Sequence, residues 1–351
     1  MKSHLLVMLA LTFSASFACA QDPAWHDSSK HGVQFVTVDE GVRLEVLDWG
    51  GSGRPIVLLA GSGDTAHVFD GFAEKLTGAG HVYGITRRGY GVSGHPDTGY
   101  GEQRLAEDIL RVCDALRISA PVLVGHSMAG EEMTRLGTEH SDRLAGLVYL
   151  DAAADPTDFP ASSPAYMELF NKLPPPMRNG PSPPASARRS FQAFHDFWAQ
   201  TGEMPFPESE LRNQFESRPD GSVGRFRSTQ TIHEAIGAGA LKRDYSQIRV
   251  PILALFDAPC SRPAAGNYAC LERPDAKPAY EPKDDRERAA IEAHGVALAA
   301  YFTRWKNNLR SAPGGVRIVD LPGAHHFVFF TREADVLNEV RAFVAGLNNG
   351  R

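Results

Sequence analysis

The sequence predicts an α/β protein with a mostly parallel central sheet flanked by helices. Two observations carry this. Short apolar runs alternate with longer stretches of helical periodicity along most of the 351 residues. Several of those runs are continuously apolar, Pro55-Ile-Val-Leu-Leu-Ala60 above all. That pattern suits a strand buried on both faces.

Taken in order, 33–38 and 42–47 read as an opening pair of strands and 55–60 as the third. A helix over 69–76, a strand at 82–85 and a helix over 103–116 follow. The runs 122–124 and 147–150 then flank a helix beginning just after Ser127. From about residue 156 to 245 the rhythm changes. Prolines cluster (Pro174, Pro175, Pro176, Pro181, Pro183, Pro184) and strand-like runs disappear. Phe191, Phe194, Phe197 and Trp198 fall at helical spacing there. Residues 156–245 therefore read as a mostly helical insertion, a lid between core parts at 21–155 and 246–351. The aromatic stripe is expected to fasten that insertion to the core, with lining an apolar substrate pocket as the alternative. The strand pattern returns at 251–256, followed by a long helix over 286–309, a strand at 316–321 and a last helix over 333–347.

Composition narrows the function. The chain is 42% hydrophobic and 22% charged, with a formal net charge of −6, which argues against a nucleic-acid partner. Residues 1–20 read as a secretory signal. Lys2 opens it, an apolar run spans 5–17, and Ala18-Cys19-Ala20 fits the cleavage pattern before Gln21. That run is too short, and too broken by Thr12, Ser14 and Ser16, to anchor the chain in a bilayer. Ser16-Phe17-Ala18 is a poor lead-in for a lipidated Cys19. The mature chain is thus expected outside the cytoplasm, periplasmic or secreted, with no membrane span. In an oxidising compartment Cys260 and Cys270, close together in a Pro/Gly-rich loop, are expected to pair as a disulfide, with free thiols as the alternative. Cys113, among Ile109, Leu110, Val112 and Leu116, reads as an inert buried thiol.

The strongest chemical signal is Val122-Leu-Val-Gly-His-Ser-Met-Ala-Gly130. A buried strand runs straight into a serine flanked by small residues, and a helical pattern follows. A sharp strand-to-helix turn of this kind lifts the Ser127 hydroxyl clear of the sheet and tolerates only small neighbours. The helix N-terminus then aims backbone N–H groups at developing negative charge.

On these residues the chain resembles the α/β-hydrolase superfamily over essentially its whole mature length, and GHSMAGEE resembles a large group of bacterial generic α/β hydrolases. The usual pattern is G-x-S-x-G. Here Ala129 holds the last position, with Gly130 behind it. The resemblance implies an α/β-hydrolase fold with Ser127 as nucleophile and a histidine base in the loop after the last strand. That loop, Pro322-Gly-Ala-His-His-Phe-Val, offers His325 and His326, and the family-like pattern favours His326, before Phe327-Val328. His325 is expected to brace the loop or face solvent, and His126 to pack. The triad acid falls on Asp151, directly after the strand that follows the nucleophile helix, with Asp257 as the alternative and Asp155 behind both. The more usual acid position falls on Cys260. The resemblance also implies an oxyanion hole from the N–H groups of Met128 and Ser62, the latter in Ala60-Gly-Ser-Gly-Asp64. Ala60 stands where the family usually has a bracing histidine.

Gly89-Tyr-Gly-Val-Ser-Gly94 formally matches a dinucleotide-binding G-x-G-x-x-G, but His95-Pro96-Asp97 follows where a helix would have to start. It reads as a structural turn. With no metal-ligand spacing along the chain, neither a metal nor a cofactor is expected. The implied activity is acyl transfer to water, with a carboxylic ester as default substrate and a lactone, amide or carbon–carbon bond as alternatives. The rival of another class is a binding protein that keeps the fold without turnover.

Overall fold

The computed structural model describes residues 25–158, 160, 163–179, 182–201, 205–258, 282–322 and 324–349. The expected leader, Cys260 and Cys270 lie outside the described residues.

The sheet opens with β1 (Gly32–Asp39), β2 (Val42–Gly50), β3 (Pro55–Leu59) and β4 (His81–Ile85). It continues with β5 (Val122–His126) and β6 (Gly146–Leu150). The helices between them are α1 (Asp70–Leu76), α2 (Glu102–Ala115) and α3 (Ala129–Glu139). The segment 156–245 then contributes α4 (Pro164–Lys172), α5 (Pro175–Asn179), α6 (Phe191–Thr201) and α7 (Glu208–Gln214). The strands β7 (Phe215–Ser217) and β8 (Val223–Phe226) and the helix α8 (Gln230–Ala238) complete it. The chain closes with β9 (Ile252–Ala258), α9 (Asp285–Leu309), β10 (Val316–Pro322), α10 (Val328–Thr331) and α11 (Glu333–Asn349).

The order across the eight-stranded sheet is β1-β2-β4-β3-β5-β6-β9-β10. From β4 to β10 every neighbour pair is parallel, and only β1–β2 and β2–β4 run antiparallel. The fold is therefore the mostly parallel α/β architecture expected. Two apolar clusters cover the faces of the sheet. One gathers Ile56, Leu58, Val124, Val148 and Leu255 with α1 and α11. The other gathers Val57, Leu123, Leu147, Tyr149 and Phe256 with α2, α3 and α9. Side chains alternate between clusters along each central strand, so every central residue is covered whichever way it points.

Four expectations meet the structure here. Cys113 is buried in α2, and burial pushes its thiol up to about 12, so it stays protonated and unreactive. Residues 89–94 form a turn closed by Gly89 N–H donating to the Gly94 carbonyl, and the next helix waits until Glu102. The reading of 156–245 as free of strands needs correction, since β7 and β8 pair antiparallel. These strands are three and four residues long, too short to show an alternation. The signal that exposes them is the Asp220-Gly221 turn, with Gly221 at φ 78 and Asp220 Oδ1 accepting from Ser222 N–H and Oγ. The aromatic stripe packs as expected. Phe191 and Phe194 are fully buried in the first cluster, with Trp198 against its edge.

Candidate active site

β5 and β6 lie side by side with His126 opposite Leu150, so the residues following each strand emerge together. Those residues are Ser127 and Asp151, and both take left-handed backbone, φ 53 and φ 48. Such conformations are strained for residues with a side chain and persist where the surroundings impose them. Ser127 N–H donates to the Leu150 carbonyl at 3.3 Å, and Asp151 N–H to the Leu255 carbonyl at 2.8 Å.

The small residues of the turn have specific neighbours. A Cβ on Gly130 would stand 1.7 Å from the Ala152 carbonyl oxygen, and one on Gly125 would stand 2.2 Å from Met133 Sδ. Ala129, where the usual pattern has glycine, is fully buried without such a clash. Close approach of α3 to the end of β6 therefore falls to Gly130, one residue later.

The third side chain arrives from the loop between β10 and α10. His326 Nδ1 lies 2.6 Å from Asp151 Oδ2, and its Nε2 lies 2.9 Å from Ser127 Oγ. With the Nδ1 proton donated to the carboxylate, Nε2 is left to accept from the serine hydroxyl. Burial opposes charge on His326, but the hydrogen bond and charge of Asp151, with Asp64 behind, raise its pKa above the ordinary value. His326 is thus the loop histidine brought to Ser127. His325 instead braces the loop, its N–H donating to Thr331 Oγ1 and its ring stacking on Phe327. Burial and the neighbouring His326 lower the His325 pKa to about 4.

The two acids weighed from sequence both reach this place. Asp151 faces His326. Asp257, near the end of β9, is buried close enough to Asp151 to feel its charge. Burial first, then the charge of Asp151, holds Asp257 well above the usual carboxylate range. Asp155 caps its own loop, with Oδ1 accepting from Thr157 N–H at 2.9 Å and Thr157 Oγ1 at 2.7 Å.

The loop 60–64 lies against Ser127, since a Cβ on Gly61 would be 3.1 Å from Ser127 Cβ and 2.9 Å from His126 Nδ1. The N–H groups of Ser62 and Met128 donate to no backbone carbonyl among the described residues. The missing bracing histidine has a substitute. Arg87, after β4, donates Nη2 to the Ala60 carbonyl at 3.0 Å and Nη1 to the Gly61 carbonyl at 3.3 Å. Glu132 on α3 holds that guanidinium in a buried pair through both of its oxygens. His126 also proves to be more than packing. It is buried, its Nε2 donates to the His326 carbonyl at 3.0 Å, and burial followed by the nearby His326 keeps it neutral.

The segment 156–245 reaches the same loop with polar groups. Glu210 on α7 accepts from Thr65 N–H at 2.8 Å and pairs with Thr65 Oγ1. Gln214 Nε2 donates to Asp64 Oδ1 at 2.9 Å and to Glu210 Oε1 at 2.8 Å. Burial raises Asp64 to about 7 against the pull of His326 and Arg87, and raises Glu210 well above its usual range. Ser62 Oγ is 3.2 Å from His233 Nδ1 on α8. Sequence reasoning singled out none of Arg87, Asp64, Glu210 or His233 for a site role. Asp64 carried a signal, as an acid inside the quoted glycine-rich loop, and so did Arg87, in a run that resembles a familiar turn of α/β hydrolases.

The described residues contain no helix long and apolar enough to cross a membrane. Comparison with known proteins agrees with this architecture. The family model described as "Alpha/beta hydrolase family" matches residues 56–340. The N-formylmaleamate deformylase of Pseudomonas putida is 31% identical over 135 residues, 38% of this chain and 48% of that protein. Epoxide hydrolase A of Mycobacterium tuberculosis is 31% identical over 136 residues, 38% of this chain and 42% of that protein. The chain thus spans less than half the length of either relative. The crystal structure of E-2-(acetamidomethylene)succinate hydrolase superposes with a TM-score of 0.59 at 18% identity, covering 90% of this chain and 99% of that one. With a sheet of this order and a family match over most of its length, the chain belongs to the alpha/beta hydrolase family.

Proposed function

We propose that the protein is a serine hydrolase that cleaves an acyl bond through Ser127, His326 and Asp151. The observation that carries this reading is the unbroken chain from Asp151 Oδ2 through both nitrogens of His326 to Ser127 Oγ, at 2.6 and 2.9 Å. Both distances lie within the reach that nucleophile activation requires. His326 takes the hydroxyl proton as Ser127 Oγ attacks the substrate carbonyl, and Asp151 stabilises the imidazolium that forms. The oxyanion rests on the N–H groups of Ser62 and Met128. Collapse returns the proton to the leaving group and leaves an acyl-Ser127. Water, deprotonated by the same histidine, then releases the acid. The segment 156–245 covers the mouth and selects the acyl and leaving groups, a role supported by its contacts with residues 62–65.

A carboxylic ester is the default substrate, because it needs no machinery beyond these groups. An amide is the second reading, favoured by the likeness to the deformylase. Epoxide opening is disfavoured because this fold generally uses an aspartate nucleophile for it, and here the position is Ser127. Export with cleavage before Gln21 belongs to the same proposal and is read by N-terminal sequencing of the secreted or periplasmic product.

The test is hydrolysis of p-nitrophenyl esters and matching anilides of increasing acyl length by the mature chain and by Ser127→Ala. Turnover of either series that vanishes in the variant supports the reading and names the bond. Turnover that survives in Ser127→Ala removes Ser127 as nucleophile. Absence of turnover together with no labelling of Ser127 by an activated phosphonate favours a binding protein.

A further inference from the structure

A second cluster of ionisable side chains lies where the chain enters the sheet. Asp27 and His31 stand just before β1, His67 lies in the short turn of 3-10 helix at 66–69, and Asp70 opens α1. The imidazoles are almost wholly buried, with 3% and 4% of their side chains exposed, whereas Asp27 keeps 26%. Each ring has its outer nitrogen on a carboxylate. His31 Nδ1 donates to Asp70 Oδ1 at 2.8 Å, and His67 Nε2 points to Glu45 Oε1 at 3.4 Å. That fixes the tautomers and leaves the lone pairs of His31 Nε2 and His67 Nδ1 facing inward.

The inward atoms converge without bonding. Asp27 Oδ2 is 3.7 Å from His31 Nε2 and 3.8 Å from His67 Nδ1, both too long for a hydrogen bond. One oxygen and two nitrogens lie within 4.8 Å of one another. His67 Nδ1 is buried with no hydrogen-bond partner, and its nearest other acceptor is Asp70 Oδ2 at 3.5 Å. Ser29 N–H donates to Asp27 Oδ1 at 2.9 Å, which turns Oδ2 toward the rings. A tetrahedral ion with bonds of roughly 2.0–2.1 Å holds its ligand atoms about 3.4 Å apart, slightly closer than these. A carboxylate on the far nitrogen of each ligating histidine is the arrangement such sites use to orient their ligands.

We propose that Asp27, His31 and His67 bind one divalent transition-metal ion of the zinc class, which ties the segment before β1 to the segment that follows residues 60–64. Imidazole nitrogen with carboxylate oxygen suits zinc and its first-row neighbours, not calcium or magnesium, which take oxygen alone. The three carboxylates Asp27, Asp70 and Glu45 surround two imidazoles, so a dication offsets most of the local negative charge. The exposed side of Asp27 leaves an entry path from solvent.

The alternative occupant of the same geometry is a proton, with His67 as a buried imidazolium, and the experiment separates the two. The untagged full chain is stripped with a chelator and titrated with Zn2+ alone, then with Co2+ alone. Expected are one equivalent of bound zinc, a higher Tm with zinc, and visible Co2+ bands of low-symmetry coordination. His31→Gln and Asp27→Asn weaken zinc binding by at least about 100-fold, and Glu45→Gln by about 10- to 100-fold. X-ray absorption on the zinc-loaded wild type reads the ligand set without any substitution, and two imidazoles with oxygen are expected. No saturable zinc binding by the wild type overturns the proposal in favour of the imidazolium. So does equal binding by Asp27→Asn and His31→Gln, or a coordination shell without imidazole. None of these readouts depends on Ser127.

Discussion

Asp151 Oδ2 lies 2.6 Å from His326 Nδ1, whereas Asp257, the other acid at this end of the sheet, is buried and makes no hydrogen bond to His326 among the described residues. The pair assigns unequal roles to two residues that look alike in sequence. Asp151→Asn presents an amide to His326 Nδ1 and favours the wrong tautomer, so kcat falls by about 10³- to 10⁴-fold. Asp257→Asn leaves the contact between Asp151 and His326 in place and keeps kcat/KM within a few-fold of wild type. Steady-state kinetics on one ester reads both, and a collapse of Asp257→Asn with a healthy Asp151→Asn reverses the assignment.

The acid limb of the pH profile follows from the same histidine. Only neutral His326 accepts the serine proton, so kcat/KM rises with pH through a value above the ordinary 6.5. Asp64 contributes to that elevation by its charge. In Asp64→Asn the midpoint moves to lower pH while Gln214 keeps its acceptor. An unchanged midpoint would remove Asp64 from the electrostatics of the site.

Asp64 also leaves a mark on stability. Its folded pKa of about 7 lies above the ordinary 3.8, so between those values the folded chain holds a proton that the unfolded chain releases. Stability from this group therefore falls as pH rises through that window and levels off above about 7. Asp64→Asn is expected to raise Tm over wild type by more at pH 8 than at pH 5. Thermal melts at the two pH values decide it.

Arg87 separates bracing from folding. Arg87→Met strands Glu132 in the interior and is expected to lose about 3–5 kcal/mol in denaturant melts. Adding Glu132→Leu removes the stranded charge and recovers much of that loss. Activity does not return with it, because the carbonyls of Ala60 and Gly61 still lack their donor. Recovery of activity along with stability would make Arg87 a folding residue alone.

Gly61→Ala tests the packing of the same loop. The new Cβ would fall 2.9 Å from His126 Nδ1 and 3.1 Å from Ser127 Cβ, so the loop must move off Ser127. A displacement of that order costs about 10²-fold in kcat, with a smaller change in KM.

Much of this was legible in the sequence because the relevant signals are local. A buried run entering a serine flanked by Gly125 and Gly130 announces a strand-to-helix turn, and His-His-Phe-Val after the last strand narrows the base to two residues. Asp151 was legible for the same reason, standing one residue beyond an apolar strand. The relationships missed are long-range. Arg87 and Glu132 are 45 residues apart, and Glu210 and Thr65 are 145 apart, with no periodicity linking either pair. Asp257 was readable as a candidate acid, but its burial beside Asp151 depends on β6 and β9 being neighbours in the sheet. The histidines at 31 and 67 sit on different elements, so no linear metal-binding spacing exists to be found.

The order of assembly follows from where Ser127, Asp151 and His326 sit along the chain. During synthesis the first two emerge early, at the ends of adjacent strands, whereas the third must wait for β10 at the far edge of the sheet. A nascent chain halted before residue 316 holds the serine and its acid neighbour with nothing to draw the proton away. The completed alignment is thus among the last features the ribosome's product acquires, and its onset during refolding would time the closing of the sheet.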